Sequence, residues 1–136
     1  MIVVDTSILA HLVLSGEATS DVVRVRGVDS DWCAPLLWRS ELRNVLATQV
    51  RLRGLPLDSA VRAMALAEVA MGRAGYAVDT GRVLELAAQS GCSAYDCEFV
   101  TLAKELGVRL VTLDGQLFDF FAPLAVSPAE FMRSCS

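Results

Sequence analysis

Ile2-Val3-Val4-Asp5-Thr6-Ser7 is the stretch that decides the fold. Ile2 to Val4 is a short, β-branched apolar run of the kind that makes a strand buried on both faces. It ends on a carboxylate, followed at once by two hydroxyl residues. In open α/β sheets the carboxyl edge of the strands is where ligands bind, and a hydroxyl just past that edge can cap the next helix, whose apolar pattern starts at Ile8. Asp5 is therefore expected at the mouth of a cleft. Viewed alone, an acid in this position reads first as a cap or turn residue; chemistry requires other acids at the same edge.

One arrives from the far end of the chain. Val108-Arg109-Leu110-Val111-Thr112-Leu113 is a second apolar strand pattern, and it ends on Asp114. A helical pattern precedes it, from Asp96 through Phe99, Val100, Leu102, Ala103 and Leu106 to Gly107. A helix-strand unit of this kind makes a parallel connection, which brings the ends of the two strands to one edge of the sheet. Asp96 sits in the first turn of that helix, where the macrodipole favours an acid in any case. Glu41 sits near the start of another helix, at the margin of its apolar stripe of Leu37, Leu42, Val45, Leu46 and Val50. On position alone Glu41 reads as a solvated or ion-paired side chain, with Asn44 one turn on and able to orient it.

Between these points short strands alternate with helices, without repeat, low-complexity tract or linker. Helices are predicted from Ser7 to about Leu14 and from Glu17 to about Arg26, the second with Val22, Val23 and Val25 as its apolar residues. A strand is predicted at Asp31 to Ala34, after which Pro35 opens a long helix to Arg53. A helix follows from Leu55-Pro56-Leu57-Asp58 to about Arg73, and another spans Gly81 to Gln89 behind a cap at Asp79-Thr80. Past Asp114 come a short Phe-rich helix, a last strand near Leu124 to Val126 and a final turn from Pro128.

The four acids in their contexts resemble the acidic motifs of PIN-domain nucleases: Asp5 in Val-Val-Asp-Thr-Ser, Glu41 in Trp-Arg-Ser-Glu-Leu-Arg-Asn-Val-Leu, Asp96 in Ser-Ala-Tyr-Asp-Cys-Glu-Phe-Val-Thr-Leu-Ala, and Asp114 in Leu-Val-Thr-Leu-Asp. The resemblance covers essentially the whole chain, 1–136, and in size and motif order it is most similar to the VapC toxins of toxin–antitoxin pairs. It implies a single α/β domain, a three-layer α/β/α sandwich around a parallel sheet. It also implies a homodimer, Mg2+ or Mn2+ as cofactor, RNA as substrate, and a small VapB-like antitoxin that covers an apolar groove and points a basic side chain into the acidic pocket.

The chemistry of the residues runs the same way. Four carboxylates gathered at one place repel one another, an arrangement that is unfavourable until a divalent cation neutralises it. Oxygen ligands suit Mg2+ or Mn2+, which would hold a phosphate oxygen and acidify a bound water. Asp5 and Asp96 are the expected principal ligands, with Asp114 and Glu41 completing the pocket directly or through water. Thr6, Ser7 and Thr112 are candidates to orient the ligands or a water, although Thr6 and Ser7 serve equally as helix caps. Arg39 and Arg43 are candidates for substrate phosphates, which arginine grips bidentately, and Asp119 is a further acid on the terminal helix.

Composition sets the outer limits. The 136 residues are 54% hydrophobic, with a mean hydropathy of +0.46, enough for one substantial core and suggestive of apolar surface covered by another chain. Net charge is −4, from 12 basic against 16 acidic residues; setting aside four metal-bound acids leaves the remainder balanced. The only lysine is Lys104, so RNA affinity is expected to rest on metal and a few arginines. Cys33, Cys92, Cys97 and Cys135 form no C-x-x-C pair, and His11 is the only histidine, which argues against zinc. Charged residues interrupt every apolar run and the first residues lack a leader pattern, so the chain is expected to be cytoplasmic and off the membrane. A phospho-acceptor receiver would want its lysine after a late strand, and a haloacid-dehalogenase-like phosphatase would want an acid where Ser7 stands. The remaining rival is a PIN-like scaffold that binds without cleaving.

Overall fold

The computed structural model describes residues 1–72 and 75–135. Four short strands, β1 (Ile2–Val4), β2 (Trp32–Cys33), β3 (Leu110–Val111) and β4 (Ala125–Val126), form one sheet in the order β2-β1-β3-β4. All three pairings are parallel, with Val3 opposite Cys33 on one side and Leu110 on the other. Helices α1 (Thr6–Val13), α2 (Thr19–Val28), α3 (Trp38–Arg53), α4 (Leu57–Met71), α5 (Thr80–Ser90), α6 (Ala94–Leu106), α7 (Gly115–Phe121) and α8 (Pro128–Ser134) surround it, giving the predicted α/β/α sandwich.

Every strand residue is buried, which is why these segments carry continuous apolar runs instead of alternating ones. The strands share a single core with Ile8, Leu9, Trp38, Leu42, Phe99, Val100 and Leu102, which project inward from α1, α3 and α6. Helix α6 packs on β1 and β3 and against α5, while α1 packs on α2, α3 and α4. The chain leaves β1 toward β2 on one side and later enters β3 on the other. The carboxyl ends of β1 and β3 therefore flank the point where the winding reverses, the crevice in which open α/β sheets bind ligands.

Several boundaries differ from those predicted. The helix expected to open at Pro35 begins at Trp38, because Pro35 instead forms an isolated parallel bridge with Tyr76, and Leu36 N–H donates to the Tyr76 carbonyl. Its buried residues are Trp38, Leu42 and Leu46, with Leu37, Val45 and Val50 only partly covered. Helix α2 starts at Thr19, not Glu17, and Val23 is exposed. Helix α6 starts at Ala94, ahead of Asp96, because the Ser93 side chain caps it. The terminal turn is a helix, with Ser127 and Glu130 in a reciprocal capping box behind Pro128. The predicted end of α4 at Arg73 lies outside the described residues.

The strand expected over 108–113 narrows to Leu110–Val111. Gly107 leaves α6 at φ 67°, a left-handed conformation that glycine adopts without a Cβ clash, and this turns the chain directly from helix into β3. Among the described residues no helix is long and apolar enough to cross a membrane, and all four cysteines are free.

Candidate metal centre

Asp5 is the fixed point of the site. Its backbone N–H donates to Val111 O across the β1–β3 seam at 3.3 Å, and its side chain caps α1 by accepting from Ile8 N–H at 3.3 Å. Asp5 is thus cap and site residue at once, and the capping role left open for Thr6 and Ser7 falls to neither.

The freed hydroxyls aim at carboxylates. Ser7 Oγ donates to Asp5 Oδ1 at 2.5 Å, and Thr112 Oγ1 donates to Asp5 Oδ2. Each hydroxyl in turn accepts a backbone N–H from the segment after β3, Leu113 onto Ser7 at 3.1 Å and Asp114 onto Thr112 at 3.0 Å. Both oxygens of Asp5 are therefore held by groups themselves fixed to the neighbouring strand end, which locks its rotamer. Thr6 Oγ1 donates to Glu41 Oε1 at 2.8 Å and ties the first turn of α3 to that of α1.

The other acids are placed by helix starts. Asp96 lies in the first turn of α6, its backbone N–H donating to Ser93 Oγ at 3.0 Å, and its side chain is left half-buried. Asp114 caps α7, accepting from Gln116 N–H at 2.9 Å through Oδ1. A carboxylate at a helix start faces unpaired N–H groups and the positive end of the macrodipole, so local structure steadies these charges while the fold gathers them.

The gathering shows in how they titrate. Burial raises Asp5 from the ordinary 3.8 to about 6 against the opposing hydrogen bonds of Ser7, Thr112 and Ile8, and the Asp96 charge adds to the rise. Glu41 is raised by burial, with Asp96, Asp5 and Glu98 adding repulsion while Thr6 opposes. Asp96 is raised by burial and by Asp114. Asp5, Glu41 and Asp96 therefore sit within electrostatic reach of one another, and Asp114 acts on Asp96. Among the described residues, however, no three His, Cys, Asp or Glu side chains already stand at the spacing of one ion's ligand shell. Like charges keep apart, and Asp5 spends both oxygens on hydroxyls.

The donor set fits a hard cation. It consists of carboxylate and hydroxyl oxygens; Cys97 is buried and turned toward Ser90 Oγ at 3.9 Å, and His11 Nδ1 is engaged with the Ser7 carbonyl at 2.9 Å. Oxygen ligands of this kind suit Mg2+ or Mn2+ and not Zn2+.

The remaining candidates are not drawn into the cluster. Asn44 is exposed, and the hydrogen bond that orients Glu41 comes from Thr6 instead. Arg39 stacks on the Trp38 ring at 4.7 Å, and Arg43 lines a groove between α3 and α4. Asp119 is exposed on α7. The salt bridges Met1–Asp29 and Arg24–Asp21 involve none of the four acids.

One acid escaped the sequence analysis. Glu98 is half-buried on α6, is raised by burial, and acts on Glu41. Helical spacing sets a residue two positions past Asp96 on another face, so periodicity directs attention away from it. The only signal was its acidity inside an otherwise apolar stretch.

A family model for the PIN domain matches residues 2–121, and the chain belongs to that family. PIN domains are generally metal-dependent nucleases. Among solved structures the chain is similar to "Crystal structure of PAE2754 from Pyrobaculum aerophilum", at 21% identity over 98% of this chain and 94% of that one, with a TM-score of 0.73. That likeness establishes the fold alone. No curated protein matches the chain.

Proposed function

We propose that this chain is a metal-dependent endoribonuclease acting in the cytoplasm as the toxin of a toxin–antitoxin pair. What supports the proposal is that Asp5, at the switch point of the sheet, is buried and raised to about 6 with the Asp96 charge adding to the rise, that Glu41 feels both Asp5 and Asp96, and that Asp114 acts on Asp96. Asp5 and Asp96 would hold the ion, and Asp114 and Glu41 would complete the shell directly or through water. When bound, Mg2+ or Mn2+ supplies a Lewis acid for a phosphate oxygen and a water of lowered pKa.

The chain's own residues do the rest. Ser7 and Thr112 fix Asp5 in one rotamer, and Thr6 fixes Glu41. The buried setting strengthens each electrostatic contact to a phosphodiester. No protein nucleophile is required.

The partner reading rests on a second place. A groove of about 570 Å3 runs between α3 and α4, with Leu46, Val50, Val61 and Met64 as apolar lining and Arg43, Arg51 and Glu68 at its polar margin. Such an apolar channel suits the amphipathic segment of a small antitoxin. Leu66, Val69 and Leu84 are also exposed and offer apolar surface to a second copy of the chain in a homodimer.

Incubating purified protein with total RNA tests the activity. Cleavage is expected with Mg2+ or Mn2+, none with EDTA, and none from Asp5→Ala that still folds. One observation favours the scaffold alternative, the absence of three preset ligands among the described residues. RNA left intact under every metal condition would decide for the scaffold.

A further inference from the structure

A cleft between α5 and α6 carries chemistry that the acidic edge does not use. Its volume is about 160 Å3, and it is lined by Arg82, Glu85, Leu86 and Gln89 from α5 with Thr101 and Lys104 from α6. Positions 82, 85, 86 and 89 fall on one face of a helix, as do 101 and 104, and the two helices pack against each other. A helix face turned toward a neighbour is ordinarily apolar, and here only Leu86 of the α5 residues is so.

The polar groups of the cleft are not spent on one another. Among the described residues no ion pair involves Arg82 or Lys104, although Glu85 stands three positions from Arg82 on the same helix. Glu85 instead accepts from Gln89 Nε2 at 3.5 Å, a bond that uses one of the two amide donors of Gln89. Lys104, the only lysine of the chain, holds its ammonium 6.0 Å from the centre of the Phe121 ring, a weak contact that leaves its three donors for an anion. Thr101 is fully buried in the wall, and its Oγ1 has no hydrogen-bond partner. A buried hydroxyl left unpaired is costly, and an acceptor brought to it recovers the loss.

We propose that this cleft is a phosphate-binding site. Two cations outweigh the single carboxylate, and Gln89 and Thr101 add neutral donors, so the occupant is an anion with several acceptor oxygens. Arg82 offers a fork that grips two of them and Lys104 a point charge for a third. A tetrahedral phosphate presents oxygens to both helices at once, whereas a planar carboxylate presents two along one edge. At ~30 Å3 per water the cleft has room for about five waters, enough for one phosphate group, and it is well below the ~300 Å3 at which pockets for larger ligands begin. The phosphate is either a free anion or part of an RNA backbone. The site stands apart from the cation reading, since Thr101 and Lys104 lie further along α6 than Asp96.

The full chain is titrated with inorganic phosphate by calorimetry, in EDTA so that no cation at the acidic edge can hold the anion, and at constant ionic strength. One phosphate is expected to bind saturably per chain. Lys104→Gln and Arg82→Gln, both at exposed positions, should each weaken binding at least about tenfold, the loss of one charge-assisted contact. Thr101→Val should weaken it as well without lowering the melting temperature of the phosphate-free chain, because it removes a hydroxyl that has no partner. A short single-stranded RNA, titrated in EDTA at several salt concentrations, identifies the source. An RNA backbone predicts that Lys104→Gln makes the slope of log affinity against log salt shallower by about 0.7, and a free anion predicts an unchanged slope while phosphate binding is lost. Either result supports the site. Phosphate that fails to saturate together with an unchanged RNA slope, phosphate affinity unweakened in Lys104→Gln or Thr101→Val, or acetate bound as tightly as phosphate overturns the inference, and none of these bears on whether RNA is cut.

Discussion

The carboxyl edge of the sheet and the α3–α4 groove are opposites in chemistry and alike in consequence. At the edge, Asp5 is buried with Asp96 and Glu41 close enough to repel it, so the isolated chain stores unbalanced negative charge. In the groove, Val61 on α4 is 62% exposed, and nearby Leu57 is 68% exposed, so the isolated chain leaves apolar surface in water. Each place is less stable than the fold could make it, and under the proposed function each would be relieved by a partner of complementary nature: a hard cation at the edge, an apolar segment in the groove. In this small domain the candidate functional surfaces lie where folding leaves a term uncompensated.

Removing a ligand charge breaks the comparison most sharply. Asp96→Asn should lower metal-dependent RNA cleavage by about 10^3-fold or more, the equivalent of several kcal/mol of transition-state stabilisation, measured under single-turnover conditions. The same substitution leaves the groove untouched, so partner capture should survive it.

The stored charge can be read directly from stability against pH. Asp5 binds its proton more tightly in the folded chain, near 6, than at the ordinary 3.8 of an unfolded one. The stability contributed by that proton is complete below about pH 4 and is lost as pH rises through 6. Full ionisation then costs about 3 kcal/mol. In EDTA, chemical denaturation should therefore show wild type losing up to that amount relative to Asp5→Asn between about pH 4 and pH 7. A difference that stays flat across this range would show that burial does not strain Asp5.

Smaller effects sharpen the boundary between site and surroundings. Thr112→Val removes the hydroxyl that holds Asp5 Oδ2, and metal affinity should fall roughly 10–100-fold in a Mn2+ titration while the fold persists. Asp119→Asn, on the exposed face of α7, should change stability by no more than about 0.5 kcal/mol and leave metal affinity unaltered.

The parts of this architecture visible in the sequence were those encoded locally. Val3-Val4-Asp5 and Leu110-Val111 with Asp114 announce buried strands ending in acids, and the right-handed parallel connection then forces both acids to one edge. Asp79 ahead of α5 is a local capping signal of the same kind, whereas the cap at Ser93 that starts α6 two residues before Asp96 went unread. What stayed hidden depends on contacts between distant segments. The start of α3 is set by Pro35 pairing with Tyr76, and nothing near Pro35 reveals it. Ser7 and Thr112 are legible as candidates to orient a ligand or a water, but that both hydroxyls meet Asp5 emerges only when β1 and β3 lie side by side. Glu98 was missed because helical spacing assigns it away from Asp96, although Glu41 approaches from another helix.

The most direct test of a cation site at this edge is the melting temperature of the purified chain at neutral pH, first in EDTA and then in saturating Mn2+. Binding to the folded state alone must raise it by mass action. Wild type should gain several degrees, and Asp96→Asn should start higher in EDTA and gain little. An equal gain in both proteins, or none in wild type, would contradict the account.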